Sequence, residues 1–151
     1  MFAVAEEEWE KRRRLPKRMG EVSEAAFLLK ASSLGLGVAK PWGESERYDF
    51  IVSGRTGAMW RVQVKSTACR YGRGWSANLS CSVAGAGREY SRDEVDFLVV
   101  HVRPVDAWYV LPVEAFVPRR HLNFYPEGGT RRGRWERFRD GWGALEGRRG
   151  V

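Results

Sequence analysis

The stretch Arg47–Thr67, RYDFIVSGRTGAMWRVQVKST, decides the fold. It divides into two strands and a turn. Tyr48, Phe50, Ile51 and Val52 surround a lone carboxylate, Asp49, and Ser53-Gly54-Arg55-Thr56-Gly57 supplies residues that let the chain double back. The second half alternates, with Trp60, Val62 and Val64 on one face and Arg61, Gln63 and Lys65 on the other, because strand side chains point to opposite sides with a period of two. Gln63 and Lys65 therefore project together, with Asp49 within reach on the paired strand. A carboxylate, an amide oxygen and an ammonium converging on one sheet face suit a hard cation with a phosphate ester beside it.

Upstream, Gly20 to Ser33 is helical in pattern, its apolar stripe formed by Val22, Ala25, Ala26, Phe27, Leu29 and Ala31, and Gly35 and Gly37 stop it. Val38 to Pro41 reads as a short strand, and the following loop carries Glu44 and Glu46. Still earlier, glutamates precede a basic run from Lys11 to Arg18, an order that suits a short helix which Pro16 ends or kinks. Downstream, Arg70 to Trp75 interleaves glycine, arginine and aromatic residues, as a loop lying on a sugar-phosphate backbone would. Trp75 to Val83 reads as a strand, Ser91 to Asp96 as a short helix with a capping box, and Phe97 to Val102 as a buried strand whose His101 is a core or sheet-edge histidine rather than a catalytic one. Trp108 to Leu111 is a further strand, and one helical turn follows Pro112. In the arginine-rich tail, Trp135, Phe138 and Trp142 have the spacing of a helical packing stripe.

Asp49, then Gln63-Val64-Lys65 one hairpin later, with Glu24 on a preceding helix, resembles the PD-(D/E)XK nuclease superfamily in its variant with glutamine at the usual acidic position, known from homing endonucleases associated with group I introns. The resemblance runs from about Met19 to Leu111. It includes the pieces GEVSEAAFLLKASSLGLGV, KPWGESERYDFIV, RVQVKST, VDFLVVHV and WYVLP in order. It implies an α/β fold of restriction-endonuclease type, a mixed β-sheet flanked by helices, and hydrolysis of phosphodiester bonds in double-stranded DNA. It also implies that Asp49, Glu24, the Gln63 side chain and the Val64 carbonyl hold Mg2+ (or Mn2+), and that Lys65 acts on the attacking water. Gly20 to Glu24 matches the family's spacing for the helix acid, although Glu21 lies nearby. A neutral glutamine weakens metal binding, so a catalytically weak or inactive DNA-binding module on the same fold stays open as the alternative.

At 151 residues the chain is expected to form one domain. Residues 1–18 read as a charged arm, 19–118 as the nuclease-like core, and 119–151 as a basic, aromatic extension packing on it. The net charge of +7 favours a polyanionic partner. The arginines expected against DNA are Arg61, Arg70, Arg73, Arg119, Arg120, Arg131, Arg132 and Arg134. Two cysteines without metal or disulfide spacing, no secretory pattern and no run of about 18 apolar residues predict a cytoplasmic protein away from membranes. Cutting both strands of a symmetric duplex calls for two centres, hence a homo-oligomer.

Overall fold

The computed structural model describes residues 2–79, 81–83, 86–129 and 133–147, so Arg131 and Arg132 lie outside the described residues. Two helices come first, α1 (Phe2–Arg14) and α2 (Pro16–Ser33). Pro16 closes the first and also opens the second. With no N–H to lose at a helix start and a backbone angle already helical, proline is well placed at the first helical position, and Leu15 before it is extended (φ −58°, ψ 133°).

Among the described residues ten strands follow: β1 (Gly37–Ala39), β2 (Phe50–Ser53), β3 (Met59–Thr67), β4 (Arg70–Tyr71), β5 (Gly74–Asn78), β6 (Cys81–Val83), β7 (Ala86–Arg88), β8 (Phe97–Val102), β9 (Ala107–Pro112) and β10 (His121–Phe124). The single strand expected over Trp75–Val83 is thus two, β5 and β6. The main sheet has the order β1-β2-β3-β8-β9. Its β3–β8 pair is parallel and its other pairs are antiparallel, so it is a mixed sheet of five strands with α2 on one face. The β3–β8 crossover carries β4, β5 and the β6–β7 hairpin, and β10 returns from beyond β9 to complete a three-stranded sheet, β10-β5-β4. The segment Ser91 to Asp96 makes one hydrogen-bonded turn and no helix, although the Glu94 carboxylate does accept the Ser91 N–H at 3.3 Å. A short helix, α3 (Val113–Phe116), leaves β9.

Two cores sandwich the sheet. On one face Phe27 and Ala31 of α2 meet Phe50, Val52, Val62, Val64, Val99 and Val110, and on the other Leu98, Val100, Tyr109 and Leu111 meet Phe116, Leu122 and Phe124. β8 contributes to both, and all six of its residues are buried, as expected of a strand covered on both sides. The apolar stripe of α2 is narrower than its sequence suggests. Ser23, Phe27 and Ala31 are buried four residues apart, while Val22 and Leu29 are 50% and 74% exposed. Trp135 and Trp142 are buried as a packing stripe requires, but Trp135 precedes one 3-10 turn, Trp142 opens another, and the two enter opposite cores.

Candidate active site

The hairpin sets the first group. β2 starts at Phe50 opposite Val62, which leaves Asp49 one residue ahead of the strand. Its N–H still donates to the Val62 carbonyl (2.9 Å), and its Oδ2 accepts the N–H of Val64 (2.8 Å). The carboxylate thereby serves a β3 N–H that β2 no longer reaches. In an extended strand the N–H and C=O of one residue point the same way, so the Val64 carbonyl opens toward Asp49. Gln63 directs its amide NH2 at that carbonyl from 3.4 Å. Lys65 follows on the Gln63 side of β3, with Nζ 5.9 Å from the centre of the Tyr90 ring.

α2 supplies the second carboxylate. Ser23 is buried and donates to the Met19 carbonyl (2.9 Å), and its hydroxyl shares a 2.5 Å hydrogen bond with that of Ser66. That contact docks the helix on the end of β3 and sets Glu24 beside Asp49. A cleft of about 400 Å³ results, lined by Gly20, Glu24, Asp49, Gln63, Val64 and Lys65 among others. Glu21 does not line it and pairs with Arg18 at 3.5 Å. Glu44 and Glu46 line a smaller cavity on the other side of Glu24 and Asp49, not the cleft itself.

Burial pushes the Asp49 carboxyl up to about 6, and the charge of Glu24 adds to this, against the Val64 N–H and the charges of Lys65 and Lys40. A half-buried acid driven upward beside a second carboxylate is a place where a cation lowers the energy. The donors are all oxygens: two carboxylates, a backbone carbonyl and, once its amide is turned over, Gln63. Hard divalent ions prefer that set. Among the described residues no three His, Cys, Asp or Glu side chains group closely enough to hold a metal, so the neutral oxygens are needed to complete a shell.

Lys40, which the sequence reading passed over, stands at this centre. Its Nζ is 2.9 Å from Glu24 Oε1 and 5.6 Å from the centre of the Phe50 ring. The Glu24 bond holds its pKa above the ordinary lysine value against some burial. Only the alternation of β1 and the loop length could have pointed to it. His101 is a core residue, stacked on Trp108 with ring centres 3.8 Å apart and bonded to Asp106 at 2.7 Å.

The arginines expected against DNA divide into distinct groups. Arg61 acts as a structural clamp, its guanidinium bonded to both Asp96 oxygens (3.0 and 3.1 Å) and to the carbonyls of Arg92 and Asp93. Arg70 pairs with Glu127 (2.7 Å) and lies over Trp75, and Arg120 pairs with Glu89. Arg73 reaches the Gly129 carbonyl at 3.5 Å. Arg119 and Arg134 lie over Trp135.

A mixed sheet with one long helix across it, and a carboxylate and a Gln-Val-Lys run where two strands part, define a phosphodiester-cleaving α/β protein of restriction-endonuclease type. Residues 15–127 match the family described as PD-(D/E)XK endonuclease, and the chain belongs to that family. It is therefore a nuclease, of a family whose substrate is DNA and whose members generally depend on divalent metal. Its fold is similar to that of a bacterial homing endonuclease, I-Ssp6803I, with a TM-score of 0.71 over 87% of this chain and 91% of that one, at 24% identity. No curated protein matches the sequence. Among the described residues no helix is long and apolar enough to cross a membrane.

Proposed function

We propose that the protein is a metal-dependent endonuclease that hydrolyses phosphodiester bonds in double-stranded DNA, in the manner of a homing endonuclease, and that it works as a homo-oligomer with paired centres. The convergence of Asp49, Glu24, the Val64 carbonyl, Gln63 and Lys65 on one cleft carries this reading. In it, Asp49 and Glu24 hold Mg2+ or Mn2+, with Gln63 and Val64 as neutral ligands. The bound ion supplies Lewis acidity toward the phosphate and a more acidic water. Lys65 orients the attacking water and offsets charge building on the phosphate, a contribution that grows as the bond breaks. Asp49 must be ionised for this work, so activity should fall as pH drops through about 6 when metal is scarce.

The second reading, a DNA-binding module that cuts weakly or not at all, is favoured by the 2.9 Å bond between Lys40 and Glu24, which gives the helix acid a partner already. Supercoiled plasmid and a random-sequence duplex library, each with and without Mg2+, separate the two. Metal-dependent cutting that Asp49→Ala abolishes is expected. Lys65→Ala should lose cleavage by about a hundredfold or more while DNA affinity stays within a few fold. Tight, salt-sensitive binding without cutting in Mg2+ or Mn2+ would sink the nuclease reading and leave the module.

A further inference from the structure

Arg119, Arg134 and Arg137 wall a cavity of about 330 Å³ together with Ala115 and Trp135. It shares no residue with the cleft at Asp49. The guanidinium carbons of Arg119 and Arg134 lie 5.7 and 5.4 Å from the centre of the Trp135 ring, and that of Arg137 lies 4.6 Å from the centre of the Phe138 ring. Trp135 is only 5% exposed and is anchored in the core beneath, so the platform is rigid. A guanidinium resting on a ring gives up its face and keeps its charge and in-plane N–H donors for another partner. Other arginines contrast with these. Arg61, Arg70 and Arg120 spend donors on Asp96, Glu127 and Glu89. No acidic residue lines the cavity, and among the described residues none of its three arginines is ion-paired.

We propose that this cavity is a phosphate-binding site that grips the sugar-phosphate backbone of duplex DNA away from the cleavage centre. The proposal rests on the reading of the protein as a DNA endonuclease. Three forks around one small cavity match the oxygens of one or two phosphates. Trp135 is buried beneath Arg119 and Arg134, and the half-buried Phe138 ring carries Arg137, so the rings give a nucleobase little face to stack on. That favours backbone phosphate over bases or a free nucleotide, and it makes the contact sequence-independent.

The test uses the full chain with Asp49→Ala, which keeps the duplex uncut, and follows fluorescence anisotropy of a short random-sequence duplex from about 50 to about 200 mM salt. Replacing Arg119, Arg134 and Arg137 by Gln should weaken binding about tenfold or more and reduce the slope of log affinity against log salt by about 2 to 3. Lysine at the three positions should restore most of that slope. Arg55→Gln, at an exposed site elsewhere, should change it by less than about 1. If the triple variant does not melt like its parent, each single Gln change should lower the slope by about 1. Binding unaltered by the Gln changes, in a protein whose wild type cuts plasmid, would overturn the cavity and leave the nuclease reading intact. No DNA binding by the parent would overturn both. Displacement of the duplex by inorganic phosphate as readily in the parent as at a small-anion pocket would also overturn the DNA assignment.

Discussion

Asp49 and Asp96 occupy matching positions and do opposite things. Each precedes a phenylalanine that begins a strand beside β3, in the runs Asp49-Phe50-Ile51-Val52 and Asp96-Phe97-Leu98-Val99, and each accepts a β3 backbone N–H at 2.8 Å, from Val64 and from Arg61. Burial pushes both carboxyls upward. At Asp96 the Arg61 side chain and N–H outweigh burial and bring it below the ordinary range. At Asp49 no arginine answers, Glu24 faces it, and the acid ends near 6. One local motif thus yields a structural clamp where a guanidinium fills the space and a candidate metal ligand where the space stays open. The difference lies in the third partner, not in the strand.

Exchanging the losses should break the comparison most sharply. Asp49→Asn is expected to lower cleavage on the order of a thousandfold with no loss in the melt, since the charged ligand goes while an amide oxygen still accepts the Val64 N–H. Asp96→Ala should do the reverse, costing about 2 to 3 kcal/mol in denaturant unfolding while the folded fraction still cuts, because Arg61 is left half-buried without its carboxylate. A variant at Asp96 that kept its stability, or one at Asp49 that lost it, would erase the distinction.

Acid titration sharpens it further. Between the ordinary carboxylate value and about 6, folded protein holds a proton on Asp49 that the unfolded chain has released, so stability falls as pH rises through that window and stays lower above it. Asp49→Asn should therefore be more stable than wild type by about 1 to 2 kcal/mol at neutral pH, the gain vanishing toward pH ~4. Asp96 has the opposite sign: its stabilisation is present above the unfolded value and is lost as pH falls through its lower folded value. Unfolding midpoints of the two variants should therefore lie on opposite sides of wild type at neutral pH and converge as pH falls. The smallest effect concerns Lys40. Removing an ammonium 2.9 Å from Glu24 should raise Mn2+ affinity several fold in Lys40→Met, measured calorimetrically without DNA, while Lys40→Arg stays near wild type. Unchanged affinity would remove Lys40 from the centre.

The hairpin, β8 and the turn after Pro112 were legible because each has a strong local cause: alternation, an unbroken apolar run, and a proline at a helix entry. The cleft residues were legible through the family's spacing, since Asp49, Gln63 and Lys65 are fixed by one short hairpin. What could not be read depends on partners distant in sequence. Arg61 looks like any outward strand arginine until Asp96 arrives 35 residues later. Lys40 looks like a loop lysine until α2 and β1 pack. β10 hides in an arginine-rich tail because four residues with partial alternation hold no signal without β5 to pair with.

The two tryptophans of the tail stand on either side of the sheet because the chain between them crosses its rim. Arg139 bridges to Tyr109, and the Asp140 N–H donates to the Trp108 carbonyl at 2.9 Å. The rim at β9 is thereby shielded, and the rim at β1 offers only three residues. A sheet with one margin sealed and the other too brief to template a stranger resists the strand-to-strand sticking that leads to fibrils.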